Sequence, residues 1–337
     1  MALTKVSNSM LVQPVNHNIL INPSFTVFQR AGTTASGAWG VEHNSTSYGP
    51  DRWRIRGSTN VGGTKVESST EVDAATGINK LVVKHPRDAT DPIKSNAFVL
   101  QRIEAVNIQG LYGKEMTFSF GYSDAGGSGI PKVWIGSCDS SANYKEIYSA
   151  IPTSLGDNRW TCTFTLSTTD GTIPDPSEEG MSVAIYPNEQ NNAPDEWSVW
   201  ETKLEVGSVV TPFIARQYGE ELALCQRYYE VLAQGDVAND GVGLLLGNFA
   251  QYSNLLAIGI VPYKVQKRAL PTGIVVRGNA FRVYSNNASV MSTAVTVDTD
   301  TSITKARIDI EATGTQGSSV WVRSQSTSCL LAVDSEL

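Results

Sequence analysis

Apolar and polar residues alternate along most of this chain with a period of two. The alternation is clearest in residues 52–56, 116–122 and 307–311, where every second side chain is apolar. This period is typical of β-strands that place one face on a core and the other in water. Turn-forming residues separate these segments at short intervals. The pattern therefore predicts an all-β fold, in which seven or more short strands within residues 19–217 form two antiparallel sheets packed face to face.

The period changes between Glu220 and Leu232, where apolar residues follow the spacing of a helix. Glu220 and Glu221 lie in the predicted first turn, where the positive end of the helix favours carboxylates, and Gly235 is positioned to end the run. We therefore predict one connecting α-helix over residues 218–234. A second, smaller β-sandwich is predicted to follow over residues 235–337.

The apolar stripe of this predicted helix is wider than a single contact requires. A stripe that covers more than half of the circumference indicates burial on several sides. We therefore predict a homotrimer that assembles about the helix and the second β domain. The candidate interface residues are Leu222, Leu224, Cys225, Tyr228, Tyr229 and Leu232.

Two phrases in the chain resemble those of a known class of protein. The first combines Leu-Glu-Val-Gly-Ser (204–208), Thr-Pro-Phe (211–213) and Arg-Gln-Tyr-Gly-Glu-Glu-Leu-Ala-Leu-Cys-Gln-Arg-Tyr-Tyr-Glu (216–230). It resembles a motif of tail fibres and other virion structural proteins of tailed bacteriophages. The second, Asn-Ile-Leu-Ile-Asn-Pro-Ser-Phe (18–25), is similar to the first strand of carbohydrate-binding-module-like jelly rolls. The resemblance implies a jelly-roll β-sandwich over residues 19–217 and a virion structural role, with the first phrase serving as architecture.

The opening Met-Ala-Leu-Thr-Lys-Val-Ser-Asn-Ser-Met resembles the start of some phage tail proteins. The resemblance implies that residues 1–18 form a leader that docks the protein onto the particle; a frayed terminus is the alternative. The sequence shows no signal peptide and no run of roughly eighteen apolar residues. We therefore expect no membrane insertion, assembly in the host cytoplasm and a final location in the virion tail, bound to other tail proteins.

The charge of the chain argues against nucleic acid as a partner. The formal net charge is −7, and no run of Lys or Arg is present, whereas a phosphate backbone calls for a basic patch. The cysteines also lack the close spacing of metal sites and disulfide-rich scaffolds. We expect buried free thiols, with a disulfide between Cys138 and Cys162 as the less favoured alternative. The four cysteines are Cys138, Cys162, Cys225 and Cys329.

The sequence offers little support for catalysis. His17, His43 and His85 lie in polar segments, and the motifs of serine hydrolases, phosphate-binding loops and zinc proteases are absent from the sequence. Some phage tail proteins cleave glycans with two carboxylates, but no such pair stands out here. We predict no enzyme, no cofactor and no metal site. The alternatives are a metal at His43 and a structural calcium at Glu201, which the jelly-roll resemblance suggests.

Binding of glycans is better supported by the aromatic residues. A sugar stacks on a flat aromatic ring while polar neighbours fix its hydroxyl groups. The candidates in or beside loops are Trp39, Tyr48, Tyr144 and Tyr148. Each ring has the alternative of covering the core or filling a subunit contact.

We therefore expect a trimeric tail fibre or tail-tip appendage that contacts host cell-surface polysaccharide. A head-decorating fibre, a baseplate component and a stand-alone glycan-binding module are the alternatives. Neither a signal peptide nor a catalytic domain is visible in the sequence to favour the last of these.

Overall fold

The computed structural model describes residues 17–30, 39–41, 46–57, 66–84, 97–125, 129–138, 144–168, 173–175, 178–188, 196–234, 242–271, 273–277, 281–285, 288–298, 301–325 and 329–336. The chain divides into two compact units, and the division falls in the sequence between Tyr218 and Gly219.

The first unit is built from short strands and two 3-10 helices, Ala105–Asn107 and Gln109–Leu111. Its described strands are β1 (Trp39–Val41), β2 (Thr46–Tyr48), β3 (Arg54–Gly57), β4 (Val66–Val72), β5 (Asn79–Lys84), β6 (Ala97–Glu104), β7 (Glu115–Ala125), β8 (Pro131–Cys138), β9 (Tyr144–Ala150), β10 (Thr153–Gly156), β11 (Arg159–Thr165), β12 (Glu179–Pro187) and β13 (Glu196–Val206).

These strands form two antiparallel sheets. One has seven strands in the order β1-β4-β5-β13-β7-β11-β10, and the other has six in the order β2-β3-β6-β12-β8-β9. Side chains from both sheets, including Trp53, Phe118, Ile135 and Val183, form one buried core. The all-β jelly-roll sandwich predicted from the alternation and the resemblance is confirmed.

The two phrases that carry the resemblance are hydrogen-bonded to each other in the first unit. Leu204 N donates to Oδ1 of Asn18 at 3.1 Å, and Ile19 N donates to Leu204 O at 2.9 Å. Arg216 then donates from Nη1 to the carbonyl oxygen of Leu20 at 3.0 Å. Asn18 is buried, so this residue, which we assigned to the leader, is part of the sandwich.

A buried ion pair explains why the phrase after β13 turns where it does. Lys203 Nζ lies 3.1 Å from Glu205 Oε2, and both side chains are almost fully buried. Glu205 accepts a hydrogen bond from Thr211 N at 2.9 Å, while Lys203 donates to Pro212 O at 3.0 Å. These bonds hold the backbone of residues 211 and 212 against the end of β13. The ion pair therefore has an architectural role.

The second unit contains all but the first residue of the helix α1 (Tyr218–Gln226). Its described strands are β14 (Tyr229–Gln234), β15 (Val242–Ser253), β16 (Leu256–Pro262), β17 (Gly273–Arg277), β18 (Phe281–Ser285), β19 (Ala288–Met291), β20 (Ala294–Val297), β21 (Lys305–Glu311), β22 (Ser319–Gln325) and β23 (Leu330–Asp334). Three of them form the sheet β14-β23-β17, and seven form the sheet β19-β18-β22-β15-β16-β21-β20. A second core includes Phe249, Phe281, Ile308 and Val322.

The helix is shorter than predicted. It ends at Gln226, and Tyr229–Gln234, which we expected to continue it, forms β14 and pairs with β23. Tyr and Val favour strands, and pairing with a buried neighbouring strand satisfies their backbone groups. The tertiary contact therefore overrides the helical spacing.

The wide apolar stripe also has a different explanation from the one we gave. Cys225, Tyr228 and Tyr229 are at most 1% exposed within a single chain, so their burial requires no second copy. Leu222 and Leu224 are half-buried, and Leu232 packs against the second core. Cys225, Tyr228 and Tyr229 are therefore explained by the fold of one chain, while an interface role for Leu222, Leu224 and Leu232 stays a prediction. None of the helices in the described part of the chain is long and apolar enough to cross a bilayer.

Candidate binding groove on the six-stranded sheet

A groove of about 300 Å³ lies on the six-stranded sheet of the first unit. Its lining side chains come from four neighbouring strands, β3, β6, β12 and β8. We call it the sheet groove, and it is lined by Arg56, Phe98, Leu100, Trp134, Ser182, Ala184 and Tyr186.

The groove residues face away from the core because each strand alternates. In β6, Val99 and Ile103 are in the core, so Phe98 and Leu100 point to the other face. In β8, Val133 and Ile135 are in the core, so Trp134 between them points to the other face. Both faces of this sheet therefore carry apolar side chains, although only one of them belongs to the core.

The pairing register places the groove residues in three rows that cross the sheet. The first row runs from Arg56 on β3 to Phe98 on β6, and from Tyr186 on β12 to Lys132 on β8. The rings of Phe98 and Tyr186 join the two halves, with centroids 4.9 Å apart at an interplanar angle of 73°. This edge-to-face contact is a favoured arrangement of two aromatic rings.

The second row runs through Arg54, Leu100, Ala184, Trp134 and Ser149. Ala184 is a small residue between the larger Leu100 and Trp134, which leaves a depression at the centre of the sheet. A third row begins at Arg102, continues through Ser182 and Gly136, and ends at Glu146.

The Trp134 ring extends over Gly136 in the same strand. A Cβ atom placed on Gly136 would lie only 2.2 Å from Cη2 of Trp134, a distance that no real side chain could adopt. The glycine therefore permits the indole to lie close to the backbone, beside the groove.

The outer face also carries several positive charges. Arg102 Nη1 contacts Glu179 Oε1 at 2.5 Å, which neutralises that arginine. Lys132 Nζ lies 5.9 Å from the centroid of the Tyr186 ring, within reach of a cation–π attraction. Arg56 is exposed and lines the groove. Aromatic planes beside charged and polar donors can bind a ligand that has both apolar faces and oxygen atoms.

The structure places the four predicted aromatic candidates in different surroundings. Tyr48 lies on the same sheet, opposite Arg54, but its ring does not line the sheet groove. Its centroid is 4.1 Å from the guanidinium carbon of Arg30, so the ring is covered on that side. The side chains of Trp39, in β1, and Tyr144, in β9, lie outside the described part of the structure.

The structure gives Tyr148 no place in the sheet groove, because its half-buried ring packs against the core. Its centroid lies 6.3 Å from that of Phe164, and the residue is opposite the buried Ile135 in β8. Burial, followed by the neighbouring Cys162, raises the pKa of the Tyr148 hydroxyl to about 12. The ring is therefore not available to a ligand in the groove.

Sequence reasoning missed Phe98, Trp134 and Tyr186, which lie in β6, β8 and β12. The missed signal is a second set of apolar residues at the alternate positions of those strands. Trp134 lies between two core residues in sequence, so its side chain is on the outer face of the sheet. A large apolar side chain on that face indicates a binding surface.

The alternatives that we considered for metal binding receive no support. Glu201 contacts Arg159, with 3.1 Å between Oε2 and Nη1, so its carboxylate is already paired. Among the described residues, no group of three or more His, Cys, Asp and Glu side chains could hold a metal ion. His43 lies outside the described residues.

No protein-family model and no curated protein matches this chain. Similar solved structures include the enzymatically active domain of tailspike protein 4 from bacteriophage CBA120, with 10% identity, a TM-score of 0.29, and coverage of 56% of this chain and 21% of that chain. A putative sugar-binding protein from Bacteroides thetaiotaomicron has 13% identity and a TM-score of 0.32, over 57% of this chain and all of the other. A family 11 carbohydrate-binding module from Clostridium thermocellum, in complex with a mixed-linked tetrasaccharide, has 15% identity and a TM-score of 0.29, over 53% of this chain and all of the other. These likenesses do not establish a family or a function for this chain.

Proposed function

We propose that this chain is a glycan-binding protein whose ligand occupies the sheet groove. The observation that carries the proposal is the position of Trp134, Phe98 and Leu100 on the face of the sheet opposite the core. All three are half-buried, so they form an apolar surface that the chain itself does not fully cover. Apolar side chains in a concave site usually serve a ligand rather than the fold.

The shape and composition of the groove suit a sugar chain. A volume of about 300 Å³ is at the lower end of the range of roughly 300–1,000 Å³ found for small-ligand sites. The apolar face of a sugar ring packs on an indole, and its hydroxyl groups accept or donate hydrogen bonds at polar neighbours such as Arg56 and Ser182. The lining residues of the groove come from four neighbouring strands, so the groove crosses the sheet, which suits a segment within a polymer.

We further propose that the protein is a virion structural protein, a tail fibre or tail-tip appendage that contacts host cell-surface polysaccharide. The support is the resemblance of residues 204–230 to phage tail proteins and of residues 18–25 to carbohydrate-binding-module-like jelly rolls, together with the hydrogen bonds between these two segments. Several weak glycan sites presented by one particle would act together and strengthen adsorption. The homotrimer stays a prediction, and it would have to use residues other than the buried Cys225, Tyr228 and Tyr229.

Glycan binding is tested by Trp134→Ala, measured by affinity electrophoresis and calorimetry against a panel of surface polysaccharides. We expect a loss of affinity of at least tenfold, with the melting temperature of the first unit nearly unchanged. Trp321→Ala is the matched control, because Trp321 is 41% exposed and belongs to the second unit. Unchanged affinity in Trp134→Ala would show that the groove is not the site.

The virion role is tested separately by immunogold electron microscopy of purified particles. We expect label on the tail; label on the head would assign the protein to the decorating fibres instead. Sedimentation analysis of the purified protein tests the trimer, and a monomer at micromolar concentration would contradict it.

A further inference from the structure

The sheet groove has more positive charge than the rest of the molecule would suggest. The whole chain has a net charge of −7, yet the first row of the groove begins with Arg56 and ends with Lys132, and the second begins with Arg54. Neither row contains an Asp or Glu residue. A local charge opposite to that of the whole chain indicates selection for the charge of a ligand.

Among the described residues, the carboxylates on this face lie in the third row and beyond it. Glu179, opposite Glu104 at the end of β12, is paired with Arg102 at 2.5 Å and therefore contributes little negative potential. Glu146 is exposed and lies opposite Gly136, in the row farthest from Arg56. The electrostatic potential therefore becomes more positive from the third row to the first, across the width of the groove.

Arg56 is the residue best placed to act on a ligand. It is exposed, lines the groove, and forms no hydrogen bond or ion pair with any residue in the part of the chain that the structure describes. A guanidinium group has five donors in a planar fork, which matches the two oxygens of a carboxylate. Arg102, by contrast, already uses its fork on Glu179.

We propose that the sheet groove selects acidic glycans and that Arg56 binds the carboxylate of a uronic acid residue. This inference rests on the proposed glycan-binding function and names the class of sugar. Phe98 and Trp134 pack against the apolar faces of the sugar rings in the glycan. Lys132, three strands away from Arg56 and about 14 Å distant at roughly 4.8 Å per strand, attracts a second acidic residue.

The test uses polymers that differ only in charge. Polygalacturonate, alginate and hyaluronate are each compared with the same polymer after chemical reduction of its carboxyl groups. We expect the protein to bind at least one acidic polymer at least tenfold more tightly than its reduced form, and the preference to weaken between 0.05 and 0.5 M salt, as it does for exposed charges at roughly these ionic strengths.

Variants assign the preference to its residue. Arg56→Gln should remove most of the preference for the acidic polymer and leave binding of the reduced polymer within about twofold, since a single exposed charge contributes on the order of tenfold. Trp134→Ala should weaken the binding of both the acidic and the reduced polymer. Arg282→Gln is the matched control, since Arg282 is an arginine on a strand of the second unit, and it should change neither.

The outcomes separate this inference from the proposed function. Equal binding of acidic and reduced polymers, with both lost in Trp134→Ala, would overturn selection of acidic glycans and retain the glycan site. Equal binding of dextran sulfate and the uronate polymers would show a general attraction to polyanions and overturn carboxylate recognition. Failure to bind any polymer, or binding that Trp134→Ala leaves intact, would count against the proposed function itself.

Discussion

Glu230 and Lys267 form an ion pair inside the second unit, with 2.5 Å between Oε2 and Nζ and neither side chain more than 1% exposed. Lys267 also donates to the backbone carbonyl oxygen of Gln226, the last residue of α1. Glu230 accepts a second hydrogen bond from the backbone N–H of Lys264 at 3.0 Å. The pair thus satisfies the end of the helix and holds the start of β14 to the segment after β16.

Lys267→Met should destabilise the second unit strongly. Removing one partner leaves the Glu230 carboxylate buried without its counter-charge, and such losses cost about 3–5 kcal/mol. Urea unfolding followed by circular dichroism measures the change. Lys264→Met is the matched control, because the Lys264 side chain is exposed and only its backbone contacts Glu230, so its stability should stay within about 0.5 kcal/mol of the wild type. A small loss in Lys267→Met would mean that the pair is not desolvated.

Asn18→Ala should destabilise the first unit. The buried Asn18 amide donates to Thr202 O, and its Oδ1 accepts from the backbone N–H groups of Leu20 and Leu204, each at 3.1 Å. Loss of these bonds leaves several buried polar groups unsatisfied, at a cost of about 2–4 kcal/mol. Asn107→Ala, an exposed asparagine in the same unit, is the control for thermal unfolding. An equal change in both variants would remove any special role for Asn18.

The buried thiol of Cys162 should make the first unit less stable at alkaline pH. Burial raises the pKa of this thiol from its ordinary value of 9 to about 12. Between these two values the unfolded chain loses the proton while the folded chain keeps it, so ionisation favours unfolding, and stability falls as the pH rises. The loss from one such group approaches about 1.4 kcal/mol per pH unit.

Cys162→Ser removes this titration with little change of volume. Denaturant unfolding at intervals between pH 8 and pH 10.5 should show a shallower decline for the variant than for the wild type above pH 9, and parallel curves below it. Parallel curves throughout would mean that the thiol ionises in the folded protein as readily as in the unfolded chain.

Much of the fold was predictable because most strands of this protein are half-buried. Alternation at residues 116–122 and 307–311 directly reports the two faces of β7 and β21, and the structure places Phe118 and Ile308 in the two cores. The segment Tyr229–Gln234 was not predictable in this way. Its state depends on β23, about a hundred positions later in the sequence, which local spacing does not contain.

The groove was only partly predictable, for a related reason. The alternate apolar positions Phe98, Leu100 and Trp134 are visible within single strands. Their meeting at one site depends on the order β3-β6-β12-β8, in which β12 lies between strands that precede it in the chain. Loop position, on which we chose Tyr148, did not identify this groove, because the Tyr148 ring packs against the core instead.

Gly136→Ala should weaken glycan binding without removing any ring from the groove. The new methyl group would lie 2.2 Å from Cη2 of Trp134, so the indole has to move away from the strand and lose its position beside Ala184. We expect about a five- to tenfold loss of affinity, since aromatic stacking of about 1 kcal/mol depends on ring position. A shift in tryptophan fluorescence should accompany it. Gly110→Ala is the matched control, because a Cβ at Gly110 meets no atom within 4 Å and should leave affinity and fluorescence unchanged. Full affinity in Gly136→Ala, with a shifted emission spectrum, would show that the ligand does not contact the indole.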